Sequence, residues 1–262
     1  MIILDNETVE LQTPSGPMRC HIARPAAPGR YPGVVFFSEI FQITAPIKRT
    51  AAALAGHGMI VLVPEIFHEL EAPGCVLAYD QAGADRGNAD KTGKPVSAYD
   101  ADARACFDFL KSHPSCTGKL GAMGICIGGH LAFRAAMHPE CRAAACYYPT
   151  DVHKGTLGKD GDDSLARVAA RQINGELLMI FGRQDPHIPY DGRRTIIDTL
   201  EKSGTRYQWH EFNAQHAFIR DEGHRYDPAL AASCISMTIE MFQRRLAEGD
   251  EIVPQPSGPD RC

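Results

Sequence analysis

The sequence has 262 residues, of which 44% are hydrophobic and 23% are charged, and its formal net charge is -5 at pH 7. This composition is typical of a globular protein with a sizeable core, and the negative balance argues against a nucleic-acid partner. The apolar runs are far shorter than the ~20 residues that a membrane span requires, and the N-terminus lacks the basic start of a secretory signal. We therefore expect a cytoplasmic protein, and nine cysteines without a C-x-x-C pair fit that reducing setting.

Short apolar segments alternate with longer amphipathic segments along the chain. Strands are predicted at residues 9–12, 19–23, 31–38, 59–63, 119–123, 143–147, 176–181 and 206–211. Helices are predicted at residues 47–57, 99–112, 128–137, 189–203 and 228–247. This alternation predicts an α/β fold in which a mainly parallel central sheet carries helices on both faces.

Residues 72–95 interrupt this alternation, because they are rich in Gly, Ala and Asp and show weak periodicity. Loops of that length are usually functional lids or disordered, and we favour a lid. Ligands of open α/β sheets bind at the carboxyl ends of the strands, where this loop would emerge. We predict a single domain at residues 1–249 with a lid loop at 72–95, followed by a polar, Pro-rich C-terminal tail at 250–262.

The run Gly124-Ile125-Cys126-Ile127-Gly128 follows one predicted strand and precedes a predicted helix. It is the G-x-S-x-G turn of a nucleophile with sulfur in place of oxygen. Such a tight turn leaves no room for side chains at its flanking positions, and it places the nucleophile at a helix N-terminus, which favours an anion. The alternative is a buried cysteine beside helix-packing glycines. The position between strand and helix favours a nucleophile.

Two further residues complete a candidate catalytic triad in the order nucleophile, acid, base. Asp185 follows the predicted strand at 176–181, and His216 follows the strand at 206–211, so both lie at the same sheet edge as Cys126. His216 would act as the base, and Asp185 would orient it. Asp185 could instead serve only as a turn residue before Pro186. No histidine spacing matches a zinc motif, so we expect neither a metal nor a cofactor.

These motifs resemble those of the dienelactone hydrolase family, over about residues 31–246. The resemblance rests on Ser38-Glu39-Ile40-Phe41, on Gly121-Ala122-Met123-Gly124-Ile125-Cys126-Ile127-Gly128-Gly129, on Gly182-Arg183-Gln184-Asp185, and on His216-Ala217-Phe218-Ile219-Arg220. It implies an α/β-hydrolase fold and hydrolysis of an ester or lactone. A cysteine nucleophile together with the E-I-F segment is more specific than the nucleophile turn alone.

The resemblance also implies roles for residues around the nucleophile. Glu39 would approach the thiol of Cys126 and help to deprotonate it when substrate arrives. The backbone N–H groups of Ile40 and Ile127 would form the oxyanion hole. A solvated loop glutamate is the alternative for Glu39, but its position directly after a buried strand argues against it.

Candidates for binding a substrate carboxylate come from two segments. The resemblance implies this role for Arg220, although a surface arginine paired with Asp221 or Glu222 is an alternative. The family's second carboxylate-binding group comes from the lid region, where this sequence departs from the family pattern. Tyr79 and Arg86 are the candidates there.

The sequence therefore predicts a monomeric or homodimeric hydrolase that acts on a small ester or lactone, carboxylated or neutral, through a thioester on Cys126. A carboxylesterase or thioesterase of broad range would use the same triad. The alternative outside the enzymes is a ligand-binding or thiol-sensing protein that has the same fold and the same turn but no catalytic activity.

Overall fold

A computed structural model describes residues 1–246. Its strands are β1 (Ile3–Thr13), β2 (Gly16–Pro25), β3 (Tyr31–Phe37), β4 (Ile60–Pro64), β5 (Cys116–Ile125), β6 (Cys141–Tyr147), β7 (Glu176–Gly182) and β8 (Arg206–Phe212). Its helices are α1 (Ala45–Gly56), α2 (Gln81–Gly93), α3 (Val96–Ser112), α4 (Ile127–Ala135), α5 (Ser164–Ala169), α6 (Tyr190–Ser203) and α7 (Pro228–Arg245). The predicted tail at 250–262 lies outside the described residues, so the domain boundary at 249 stays a prediction.

The eight strands form one sheet in the order β1-β2-β4-β3-β5-β6-β7-β8. β2 pairs antiparallel with β1 and β4, and the other neighbouring strands pair parallel. Every residue of β4 and β7 is buried, although successive side chains point to opposite faces of a strand. Helices must therefore cover both faces, as is usual for parallel sheets, and the predicted α/β-hydrolase fold is confirmed.

The parallel register brings the carboxyl ends of the central strands to one edge of the sheet. Phe37 of β3 lies opposite Gly124 of β5, and Ile180 of β7 lies opposite Tyr147 of β6. The segments that follow β3, β5, β6, β7 and β8 therefore emerge side by side. Within residues 1–246, no helix has the length and apolar content that a membrane crossing requires.

The segment at 72–95 is not the loop that the sequence predicts, because α2 occupies most of it. Asp80 caps this helix by accepting a hydrogen bond of 2.8 Å from the backbone N–H of Gly83. Gly83 and Gly87 are the buried residues of α2, so the helix packs through glycines rather than through an apolar stripe. Periodicity of apolar residues therefore could not reveal it. The sequence did not predict the short helix α5 either.

The C-terminal end of α2 is anchored by a buried ion cluster. The ammonium group of Lys94 is fully buried and lies 2.7 Å from the Glu69 carboxylate and 2.5 Å from the Asp102 carboxylate. It also donates a hydrogen bond of 2.9 Å to the carbonyl of Ile66. A buried ammonium is tolerated only with such partners, so this cluster ties α2 to α3 and to the segment after β4.

Candidate active site

Cys126 lies in a strained turn between β5 and α4. Its φ is 61° and its ψ is -124°, a conformation that a non-glycine residue adopts only when its surroundings enforce it. A Cβ on Gly124 would lie 1.8 Å from the carbonyl oxygen of Gly128, and a Cβ on Gly128 would lie 2.1 Å from that of Phe37. Both flanking positions therefore require glycine, and the turn holds the Cys126 thiol at the start of α4.

The side chains of Cys126, His216 and Asp185 come together at this edge. Nδ1 of His216 lies 2.6 Å from Oδ2 of Asp185, and both residues are buried. The other oxygen of Asp185 accepts a hydrogen bond of 2.8 Å from the backbone N–H of His187. Cys126 and His216 line one cavity, and the Cys126 sulfur contributes to the raised pKa of His216.

The environment of His216 favours the imidazolium. Burial alone would lower the pKa of His216, but a charged Cys126 sulfur and the Asp185 carboxylate outweigh burial and raise this pKa to about 10. The imidazolium is therefore stable at neutral pH whenever Cys126 is ionised. The arrangement can hold a thiolate–imidazolium pair.

Ile40 and Ile127 are the residues whose backbone N–H groups the resemblance assigns to an oxyanion hole. Ile127 is the first residue of α4, so its N–H has no acceptor within the helix. Ile40 lies in the turn after β3, beneath α2. Neither N–H donates to another backbone carbonyl of residues 1–246. Both donors therefore remain available for a developing negative oxygen near Cys126.

Glu39 is buried beside the cavity and is held by two groups. The hydroxyl of Tyr79 donates a hydrogen bond of 2.5 Å to Oε1 of Glu39, and Nη1 of Arg220 lies 3.8 Å from the same oxygen. Burial raises the pKa of the Glu39 carboxyl, against the opposing effects of Arg220 and Tyr79. Glu39 is thus a carboxyl group that holds its proton more readily than an exposed glutamate does.

Arg220 faces the cavity rather than the neighbouring acidic side chains. Its guanidinium lies 4.2 Å from the centre of the Tyr79 ring, and its Nε donates to the backbone carbonyl of Glu222 at 3.0 Å. The carboxylates of Asp221 and Glu222 pair instead with Arg49 of α1. The alternative of a surface arginine paired with these carboxylates therefore does not describe Arg220.

The structure contradicts the expectation for Arg86. Its guanidinium forms two hydrogen bonds with the carboxylate of Glu71, and Arg86 does not line the cavity. The reason is the orientation of α2. Its glycine face, which the sequence could not identify, packs on the turn after β3, and Arg86 therefore points toward Glu71. Tyr79, just before α2, does reach the cavity.

The cavity has a volume of about 660 Å³ and contains groups that the sequence did not single out. The ring of His187 packs edge-on against that of His216 at 4.7 Å. Nζ of Lys91 on α2 lies 2.7 Å from Oδ2 of Asp151, which follows β6. The position of Asp151 just after a strand could have indicated that it lies at the site. No feature of the sequence indicated Lys91, because the sequence did not predict α2.

Two groups of side chains have potential metal-binding atoms within 4.8 Å of one another among the described residues. These groups are Asp185, His187 and His216, and His68, Glu69 and Asp102. In the first group, Asp185 and His216 are hydrogen bonded to each other, and in the second the Lys94 ammonium already neutralises the carboxylates. The expectation that no metal takes part stays a prediction.

Comparison with known proteins gives a consistent assignment. The sequence profile of the dienelactone hydrolase family matches residues 18–246. A candidate carboxymethylenebutenolidase of Saccharomyces cerevisiae is 40% identical over 248 residues, which is 90% of each chain. The carboxymethylenebutenolidase of Rhodococcus opacus is 29% identical, and the match covers 82% of each chain.

The fold agrees with these sequence matches. A crystal structure of a candidate dienelactone hydrolase from Klebsiella pneumoniae superposes with a TM-score of 0.80 at 23% identity, and the match covers 93% of this chain and 100% of that one. The fold, the profile match and the Saccharomyces relative lead to one conclusion. The chain belongs to the dienelactone hydrolase family and is a hydrolase.

Proposed function

We propose that the protein hydrolyses a carboxylated lactone or ester through Cys126, His216 and Asp185, with a thioester as the acyl-enzyme. The observation that carries this proposal is the strained turn at Cys126, with φ 61°, beside a histidine whose Nδ1 lies 2.6 Å from Asp185. A cysteine that only packs in the core needs neither the strained backbone nor an oriented imidazole. A catalytic role accounts for both.

Acylation begins when the Cys126 proton passes to His216 and the sulfur attacks the substrate carbonyl carbon. The N–H groups of Ile40 and Ile127 stabilise the negative oxygen of the tetrahedral intermediate. The bond from the carbonyl carbon to the ring or ester oxygen then breaks, and the imidazolium of His216 gives its proton to that oxygen. The acyl group remains on Cys126 as a thioester.

Deacylation follows from the same electrostatics. The acylated sulfur carries no charge, so the interaction that contributes most to the raised pKa of His216 is lost. Neutral His216 can then take a proton from water as the water attacks the thioester carbon. The Cys126 sulfur leaves as a thiolate, which restores the pair with the imidazolium.

The contacts of Glu39 support a carboxylated substrate. Arg220 and Tyr79 both hold Glu39, and both are groups that a substrate carboxylate would bind. A bound substrate would compete for them and release Glu39, which is then free to take the proton of Cys126 and pass it on to His216. Activation of the nucleophile would in this way depend on a substrate that carries a carboxylate.

A second candidate is an esterase or thioesterase of broader range on the same triad. The cavity volume of about 660 Å³ favours it, since it lies within the range of pockets that hold drug-sized ligands.

Within residues 1–246 there are eight free cysteines, which suits the reducing cytoplasm as the place of the reaction.

The test is a substrate panel of a carboxylated lactone, a neutral aryl ester and an acyl thioester. Cys126→Ala should lose activity by several orders of magnitude on every substrate that the parent hydrolyses. The double variant Cys126→Ala/His216→Ala should lose little more than Cys126→Ala alone, because the two residues act as a unit. Cys75→Ala removes a partly exposed cysteine outside the cavity and is the matched control. Additive losses would mean that the triad assignment is wrong.

A further inference from the structure

Tyr148 lies directly after β6 and is held in an unusual conformation beside the triad. Its φ is 35°, and its backbone N–H donates a hydrogen bond of 2.6 Å to the carbonyl of Ile180 on β7. The side chain is fully buried, and its ring packs edge-on against His216 at 4.8 Å and Phe218 at 5.5 Å. The backbone strain and the packing fix where the Tyr148 hydroxyl lies.

No described residue forms a hydrogen bond with that hydroxyl, although it is buried. The neighbouring residue shows the ordinary arrangement. The hydroxyl of Tyr147, equally buried, donates to the carbonyl of Cys234 at 2.8 Å and lies 2.6 Å from Oγ1 of Thr238. Buried tyrosine hydroxyls normally have such partners, and leaving one without a protein partner costs free energy. A phenylalanine would avoid that cost, so a hydroxyl at this position calls for another explanation.

The Tyr148 ring packs on the triad histidine, and the phenol interacts electrostatically with Glu39 and Cys126. Burial, and then the nearby charges of Glu39 and Cys126, raise the pKa of Tyr148 well above its ordinary value. The phenol therefore keeps its proton across the working range of pH. It is a fixed, neutral hydrogen-bond donor that interacts electrostatically with both Glu39 and Cys126.

Glu39 needs such a donor once it leaves its resting contacts. In the resting enzyme its carboxyl group accepts from Tyr79 and faces Arg220. A substrate carboxylate that takes both groups leaves Glu39 buried, where a carboxylate without a donor is costly. We propose that Tyr148 is the positioning residue that receives Glu39 in the substrate complex, where its hydroxyl donates to the released carboxylate and holds it beside the Cys126 thiol.

The inference rests on the proposed function, and only the Cys126 proton moves in it. One oxygen of Glu39 accepts the Tyr148 hydrogen bond, and the other takes the proton that leaves the Cys126 sulfur and passes it on to His216. The Tyr148 proton stays on its oxygen throughout. Tyr148 thus acts through Glu39, and only on substrates whose carboxylate displaces Glu39.

Two neighbouring tyrosines provide a matched pair of variants. Tyr148→Phe should keep or raise the melting temperature of the parent, because it removes a hydroxyl without a protein partner. It should slow acylation by the carboxylated lactone by about tenfold to a hundredfold, the effect of losing one hydrogen bond to a charged group. The loss on a neutral aryl ester should be much smaller. Tyr147→Phe should do the reverse, lowering the melting temperature while acylation by both substrates stays at the parent rate.

The pH profile separates a positioning role from a structural one. A hydrogen bond to a carboxylate stabilises its charged form, so losing it raises the pKa of Glu39. The acidic limb of the acylation rate on the carboxylated lactone should therefore move to higher pH by about one unit in Tyr148→Phe. A Tyr148 that only packs against His216 would leave this limb in place and slow both substrates equally.

The closing experiment measures single-turnover acylation by rapid quench, with the thioester on Cys126 detected by mass spectrometry. We expect the parent to form it on the carboxylated lactone, and Tyr148→Phe to form it slowly and with the shifted pH limb. A thioester formed equally fast in both proteins would overturn the role of Tyr148 and leave the proposed function intact. Hydrolysis by the parent without any thioester would overturn the proposed function, and the role of Tyr148 with it.

Discussion

Nη1 of Arg220 lies 3.8 Å from Oε1 of Glu39, so the group expected to bind a substrate carboxylate already faces a carboxyl group of the protein. The same Glu39 oxygen accepts the hydroxyl of Tyr79 at 2.5 Å, and the Arg220 guanidinium lies over the Tyr79 ring. These three side chains form one unit that a carboxylated substrate must rearrange. The chemistry at Cys126 and the choice of substrate are therefore coupled.

Arg220→Met should impair carboxylated substrates selectively. A charge-assisted hydrogen bond contributes about 1.5–3 kcal/mol, which corresponds to roughly a tenfold to hundredfold loss in kcat/KM on a carboxylated lactone. A neutral aryl ester should be nearly indifferent. Arg86→Met is the matched control, because Arg86 pairs with Glu71 outside the cavity and should alter neither substrate. Equal losses on both substrates in Arg220→Met would point to a structural arginine instead.

His216 should titrate differently once the sulfur is removed. In the parent with a carboxylate ligand bound and Cys126 ionised, the sulfur and Asp185 outweigh burial and raise the pKa of His216 to about 10, so the imidazole should stay protonated from neutral pH almost to that value. In Cys126→Ala the contribution of the sulfur is gone while burial remains, so the pKa should fall. NMR titration of the His216 ring in both proteins, each with the same carboxylate ligand bound, measures the difference. Identical titration curves would show that no thiolate–imidazolium pair forms.

Gly87→Ala should impair catalysis although alanine favours helices. A Cβ at this position would lie 2.5 Å from the carbonyl oxygen of Ile40, so α2 or the turn after β3 must move. We expect a loss in kcat on every substrate, because the Ile40 N–H would leave its position.

Gly93→Ala is the control for this change in α2. The nearest atom to its new Cβ would be a Leu70 methyl carbon at 3.7 Å, an ordinary van der Waals contact. It should leave kcat unchanged and stabilise the helix by up to about 1 kcal/mol. Equal kcat values in Gly87→Ala and the parent would mean that packing against α2 does not hold the Ile40 N–H in its catalytic position.

The sequence predicted the parts of the site that follow from strand ends. Cys126, Asp185 and His216 each come directly after a predicted strand, and parallel strands bring such positions to one edge. The glycines around Cys126 were also informative, because the turn admits no side chain there. Each of these patterns involves residues that are close together in the sequence, so it can be recognised from the sequence alone.

The lid region was not predictable in the same way. Helix α2 buries Gly83 and Gly87 rather than an apolar stripe, so its existence and orientation depend on close backbone packing that leaves no periodic pattern. Which of Tyr79 and Arg86 faces the cavity depends on that orientation. The contacts of Tyr79 and Arg220 with Glu39 connect three segments that are far apart in the sequence. The spacing of residues along the chain therefore could not predict these contacts.

The most direct test of the account is the mass of the Cys126 peptide during turnover. The parent is mixed with a carboxylated lactone, quenched in acid within the first turnover, digested with pepsin and analysed by mass spectrometry. The account predicts that the peptide containing Cys126 gains the mass of the intact lactone, since the opened ring stays attached, and that it loses this mass when substrate is exhausted. Product formation at the full parent rate, with Cys126 unmodified at every quench time, would contradict a thioester mechanism.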